Sequence, residues 1–145
     1  MARILVAEDS SELQQLLCFV LAAEGHATHG VRTVAEGRRA LETGDYELVV
    51  ADMRLPDGSG AQLAEKARTH GVEALLTTGH PEEMQLMERR GIDHLRKPFR
   101  LRDFARLVNR RVARRHRLAP RSGFLCTRQV RDGAAKVPDK SALRS

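Results

Sequence analysis

Short aliphatic runs alternate with amphipathic stretches along the first 118 residues, and most of the runs hand over to a polar residue at the carboxyl end. Arg3-Ile4-Leu5-Val6-Ala7 leads into Glu8-Asp9, Leu48-Val49-Val50-Ala51 into Asp52, Ala74-Leu75-Leu76-Thr77 into Thr78, and the weaker His94-Leu95-Arg96 into Lys97. Ala27–Val31 is a further, less apolar run. An apolar run without alternation suits a strand covered on both faces. Between the runs, apolar residues recur at helical spacing: Leu13, Leu16, Leu17, Val20 and Leu21, then Leu63 and Ala67, then Leu101, Phe104, Leu107, Val108 and Val112. Ser11-Glu12-Leu13-Gln14 and Thr33-Val34-Ala35-Glu36 read as capping boxes that open the first two helices. Gly25 ends the first helix, and the second stops near Gly44. Pro56, Asp57, Gly58 and Gly60 mark a loop. Pro81–Arg90 reads as a helix with Pro in its first turn. Strand and helix in strict alternation predict an open parallel sheet with helices on both faces.

Composition narrows the class. The chain has 145 residues, 41% hydrophobic and 30% charged, with one Tyr and no Trp. That suits one aliphatic-cored domain with a short appendage and excludes a collagenous or wholly disordered chain. No apolar run approaches the ~20 residues of a membrane span. The start of the chain reaches Glu8-Asp9 too early for a secretory apolar region. Cys18 and Cys126 form neither a disulfide framework nor a Cys-x-x-Cys zinc pair, so a reducing cytoplasm is expected. Charge is segregated: residues 1–99 hold 11 Lys/Arg against 16 Asp/Glu, a net of −5, while residues 100–145 hold 14 against 3, a net of +11. Residues 1–118 are therefore read as the domain and 119–145 as a basic, partly disordered tail. Such a tail attracts anionic partners without specificity.

In a parallel sheet the polar residues that end the strands all fall on one edge, where ligands bind at the point of strand-order reversal. Glu8 and Asp9 thus meet Asp52, although 43 residues separate Asp9 from Asp52. Three carboxylates together raise one another's pKa unless a cation joins them. Hard oxygen donors suit Mg²⁺, which brings phosphate with it. A hydroxyl at Thr78 and an ammonium at Lys97 would engage the remaining phosphoryl oxygens.

Glu8-Asp9, Asp52-Met53-Arg54-Leu55-Pro56-Asp57-Gly58, Thr78-Gly79-His80 and Lys97-Pro98-Phe99, in this order, resemble the receiver domain of two-component response regulators. The resemblance covers about residues 3–117 and implies the flavodoxin-like doubly wound fold, strand order 2-1-3-4-5. It implies that Asp52 accepts a phosphoryl group from a histidine kinase or a histidine phosphotransfer protein. Asp9, Asp52 and the backbone carbonyl of Arg54 would hold Mg²⁺. Glu8 would either reach the metal through water or cap the first helix. Thr78 resembles the switch hydroxyl, which also suits it to cap the helix at Pro81. Gly79 matches a small residue beside the phosphate, and Lys97, before a cis proline, matches the phosphate-binding lysine.

Some positions depart from the family pattern. His94 stands where the family usually has Tyr or Phe, so ring-coupled switching becomes sensitive to protonation. Arg54 and His80 flank the phosphate position. Phosphorylation is expected to shift a surface that includes His94, Phe104 and Arg106, through which a downstream protein or a second copy of the chain would bind. The remaining residues add little: His26, His29, His70 and His116 lack ligand spacing, while Cys18 and Phe99 read as packing residues. A haloacid dehalogenase-type hydrolase would need Asp-x-Asp, which Asp52-Met53-Arg54 lacks, and a nucleotide binder would need a Gly-rich turn where Glu8-Asp9-Ser10-Ser11 stands. The expectation is a phosphorylation-controlled interaction module, not an enzyme beyond its own phosphoryl chemistry. The alternative is a DNA-associated regulator that uses the basic tail.

Overall fold

The structure, a computed structural model, describes residues 2–118. The expected tail, residues 119–145, and Cys126 lie outside the described residues. The chain divides into a unit over Met1–Val112 and a second over Ala113–Ser145, and the site lies wholly in the first.

The elements follow the alternation in the sequence: β1 (Arg3–Ala7), α1 (Ser11–Ala23), β2 (Ala27–Val31), α2 (Val34–Thr43), β3 (Leu48–Asp52), β4 (Arg54–Leu55), β5 (Gly58–Ser59), α3 (Gly60–Thr69), β6 (Glu73–Thr78), α4 (Pro81–Arg90), β7 (Asp93–Arg96) and α5 (Leu101–Leu118). The main sheet has the order β2-β1-β3-β6-β7, and every pair in it is parallel. With the main-sheet strands counted alone this is 2-1-3-4-5, the expected flavodoxin-like fold. Strand order reverses between β1 and β3.

Alternate strand residues face opposite ways and build two cores. Leu5, Ala7, Val49, Ala51 and Leu76 pack with Val34, Leu41, Leu63, Ala67 and Met87 on the side of α2, α3 and α4. Ile4, Val6, Leu48, Val50 and Leu75 pack with Leu17, Leu21, Phe104, Val108 and Val112 on the side of α1 and α5. Phe104 is 0% exposed, its ring 5.6 Å from that of Phe99. It therefore belongs to the core and not to the surface expected around His94 and Arg106.

Several local expectations are revised. The cap of α1 is Ser10, whose hydroxyl accepts from Leu13 N, and Ser11 starts the helix. Gln14 does not complete a box: its amide donates to the carbonyls of Glu8 at 3.3 Å and Val31 at 2.7 Å, tying together the ends of β1 and β2. Leu16 leaves the apolar stripe at 43% exposure, beside Phe19 at 72%. Thr33 caps α2 as expected, but Glu36 reaches back to Arg32 N, one residue before the cap. Within the segment read as loop, β4 and β5 form a two-residue antiparallel ladder around Pro56 and Asp57. Ser59 and Gln62 make a reciprocal capping box at the start of α3. Gly91, at φ 68°, closes α4 in the left-handed conformation that a side chain disfavours.

Candidate functional site

β1 and β3 pair side by side, Ala7 opposite Ala51, so the residues that follow them emerge together at the reversal point. Glu8, Asp9 and Asp52 each present a carboxylate oxygen, and these oxygens lie within 4.8 Å of one another. Glu8 is buried, Asp52 half-buried and Asp9 exposed. The β1–α1 loop is held in place by the Arg32 guanidinium, which donates to the Asp9 carbonyl at 3.2 and 3.3 Å.

Lys97 enters from the far side. Its backbone N–H donates to the Thr78 carbonyl at 2.7 Å, and the Lys97–Pro98 peptide is cis. Its ammonium donates to Asp52 Oδ2 at 2.9 Å and to Glu8 Oε1 at 3.2 Å. Burial alone would depress the Lys97 pKa, but the hydrogen bond and charge of Asp52, then of Glu8, outweigh it and hold the ammonium above its usual value. Burial pushes the Glu8 carboxyl up, against the pull of the Ser10 N–H and Lys97, and the Asp52 charge adds to the rise. Glu8 Oε2 accepts from Ser10 N at 3.2 Å. Both Glu8 oxygens are thus engaged, one by the cap residue itself and one by Lys97.

The donor set suits a hard divalent cation: three carboxylates, no sulfur or imidazole among them, with a single ammonium that leaves two negative charges unbalanced. Arg54 N donates to Asp52 Oδ1 at 3.1 Å, which orients that carboxylate.

Thr78, 2% exposed, ends β6. It does not cap α4; the cap residue is His80, which makes no side-chain cap bond. The Thr78 hydroxyl instead donates to Glu83 Oε1 and accepts from His80 N at 3.0 Å. Glu83 Oε2 accepts from Arg54 Nε at 3.2 Å. A Cβ on Gly79 would meet only Lys97 atoms, at 3.8 and 3.9 Å, so the space there takes a small side chain. His94 lies half-buried on β7, its Nε2 4.0 Å from Glu88 Oε2.

The sequence-predicted residues Glu8, Asp9, Asp52 and Lys97 therefore meet in one pocket, Thr78, Gly79 and Arg54 border it, and His94 lies further along β7. Four supporting residues carry no role at the site in the sequence reading: Gln14, Arg32, Asp57 and Glu83. Asp57 accepts from Val34 N at 2.7 Å and Ala35 N at 3.0 Å, capping α2 from the β4–β5 turn. Those two hydrogen bonds hold its carboxyl below the usual aspartate value. Only Glu83 carried a signal, since the first turn of a helix starting at Pro81 brings it back over Thr78.

Comparison with known proteins agrees with this geometry. The family model described as the response regulator receiver domain matches residues 4–109. The transcriptional regulatory protein TcrA of Mycobacterium tuberculosis is 37% identical over 72% of this chain and 44% of its own length. The chain spans about half the length of the curated relatives it matches. A receiver domain protein described as CheY-like, from Methanospirillum hungatei, superposes with a TM-score of 0.75 at 25% identity, covering 82% of this chain and 99% of that one. The regulator TrrA of Thermotoga maritima, solved with Mg²⁺ and beryllofluoride, has the same fold at 24% identity and a TM-score of 0.69, covering 77% of this chain and 99% of that one. With its strand-end carboxylates and lysine gathered at the reversal point, the chain belongs to the receiver domain family of two-component response regulators.

Proposed function

We propose that the chain is a phosphorylation-controlled module in which Asp52 accepts a phosphoryl group from a phosphohistidine on a sensor kinase or phosphotransfer protein. The observation that carries this reading is the pairing of Asp52 with Lys97 beside two further carboxylates. A carboxylate oxygen of Asp52 forms the new P–O bond as the P–N bond to the donor imidazole breaks. The imidazole keeps the bonding electron pair and takes up a proton. Later attack by water on phosphorus returns the carboxylate and inorganic phosphate. The chain thus catalyses only its own phosphorylation and dephosphorylation.

Asp9, Asp52 and the Arg54 carbonyl would hold Mg²⁺, with Glu8, the most buried of the three carboxylates, acting through water. Bound Mg²⁺ would offset charge on the transferring phosphoryl oxygens. Lys97 supplies a fixed positive charge to the same oxygens, and Thr78 a hydroxyl. The acyl phosphate adds roughly −1.5 to −2 charge, which draws on the Thr78 side of the pocket and biases the face of α4, β7 and α5 toward a downstream protein or a second copy of the chain. Incubation with acetyl phosphate tests the assignment. Wild type is expected to gain one phosphoryl mass only with Mg²⁺, and Asp52→Asn to gain none. Equal labelling of the variant defeats it.

A second reading, association with DNA, is favoured by relatives named as transcriptional regulators and by the exposed Arg102, Arg106 and Arg110, spaced one helical turn apart on α5. Binding of this kind is electrostatic and weakens steeply with salt. Removal of residues 119–145, with DNA retention measured at two salt concentrations, separates the tail from α5. Unchanged retention after truncation rules out the tail.

A further inference from the structure

Glu83 stands between the two groups that border the acceptor. It lies in the first turn of α4, with its side chain 19% exposed. One of its carboxylate oxygens accepts from the Thr78 hydroxyl and the other from Arg54 Nε. Thr78 and Arg54 both border Asp52: the Arg54 N–H bonds the Asp52 carboxylate, and Asp52 pairs in register with Thr77, the residue before Thr78. The Thr78 hydroxyl and the Arg54 guanidinium, on two residues that border the acceptor, are therefore both committed to an anion that the protein itself supplies.

We propose that Glu83 is an internal competitor of the phosphoryl group, holding Thr78 and Arg54 in the resting arrangement and setting how readily the switched arrangement forms. This inference rests on Asp52 being the phosphoryl acceptor. Hydrogen bonds to a carboxylate are charge-assisted and stronger than those between neutral groups. A phosphoryl group offers the same donors more negative charge and three acceptor oxygens. Transfer of Thr78 from Glu83 to phosphate exchanges one charge-assisted bond for another, so the reorganisation costs little. It also releases the first turn of α4, so a change at Asp52 is transmitted to the α4 face by bond exchange at a single side chain. By linkage, whatever weakens the Glu83 contact strengthens binding of any phosphoryl analogue at Asp52. Glu83 acts through Thr78 and Arg54 and is a positioning residue.

The test is a double-mutant cycle on Glu83→Gln and Thr78→Val, both close to isosteric, in the 145-residue chain. Two quantities are measured: the rate of labelling by acetyl phosphate with Mg²⁺, and the affinity for Mg²⁺-beryllofluoride followed by fluorine NMR. Glu83→Gln is expected to raise beryllofluoride affinity by ~10-fold, the scale of one lost charge-assisted hydrogen bond. In the Thr78→Val background the same substitution is expected to raise it clearly less, by about 3-fold at most, because of the two donors that Glu83 restrains only Arg54 remains. A contact that merely supports α4 would give the same effect in both backgrounds. Unfolding curves run alongside check that each variant is folded. Glu83→Ala, at a helical position that favours Ala, is the second variant and is expected to follow the glutamine variant. Affinity unchanged or lowered by Glu83→Gln, or an effect of the same size without the Thr78 hydroxyl, overturns the proposal. Failure of wild type to label or bind beryllofluoride overturns the reading of Asp52 instead, so the two failures are distinct.

Discussion

Among the described residues Lys97 is the one side chain paired with Glu8 and Asp52 together, and its removal takes the paired counter-charge from two neighbouring carboxylates. Breaking a fully buried pair costs several kcal/mol; with Lys97 28% exposed the effect shrinks. Lys97→Met is expected to lower stability by about 1–2 kcal/mol in metal-free buffer, and excess Mg²⁺ to recover part of the loss by binding the folded state. Thermal unfolding with a chelator and with Mg²⁺ measures both. Asp57 makes a separate prediction. Its folded pKa lies below the ordinary 3.8, so its contribution to stability is present above that value and is lost as pH falls through the folded value. Asp57→Asn is expected to lower the urea midpoint near neutral pH and to match wild type more closely at about pH 3. At this scale the sequence shows Glu8, Asp52 and Thr78 as strand-ending residues, because each stands at the edge of an aliphatic run; Lys97 follows the mixed run His94-Leu95-Arg96 and is less sharply marked. It does not show Asp57 capping α2, because the two are 23 residues apart and meet only once the β4–β5 turn has formed. Nor does it separate Ser10 from Ser11 as the cap of α1, since both are hydroxyl residues at the same boundary.

Elements were more legible than contacts. β1, β3 and β6 are aliphatic because both faces of the sheet are covered, and a run of that kind admits few other readings. β7 was weak in the sequence because it is an edge strand, with only β6 beside it. The β4–β5 ladder is invisible in the sequence because two residues per strand carry no periodicity. Gly60 explains how closely α3 can approach β3. A Cβ there would lie 2.3 Å from the Asp52 carbonyl oxygen, and backbone cannot yield as a flexible side chain can. Gly60→Ala is expected to cost about 1–3 kcal/mol by overpacking and to slow labelling by shifting Asp52, read from urea unfolding and acetyl phosphate kinetics together. Phe104→Ala, in the opposite core, is expected to cost about 3–5 kcal/mol. Labelling slowed by Gly60→Ala and not by Phe104→Ala, although the second costs more stability, would show that the approach of α3 matters to the site itself.

At the scale of the molecule, topology does the work that no single segment can. Reversal of strand order between β1 and β3 brings carboxylates from distant parts of the chain to one edge. Arg111 closes the opposite end, paired with Glu73 at the start of β6 and Asp93 at the start of β7. Among the described residues no helix is long and apolar enough to cross a membrane. The segregation of charge was plain in the sequence, since counting needs no structure. The partner it serves was not, because charge alone does not specify one. The most direct test of the account is to locate the acyl phosphate chemically. After incubation with acetyl phosphate, borohydride reduces an aspartyl phosphate to homoserine, which peptide mass spectrometry places in the chain. The account predicts homoserine at position 52 alone, and only when Mg²⁺ was present. Homoserine at another position, or phosphoryl mass gained with aspartate intact at 52, contradicts it.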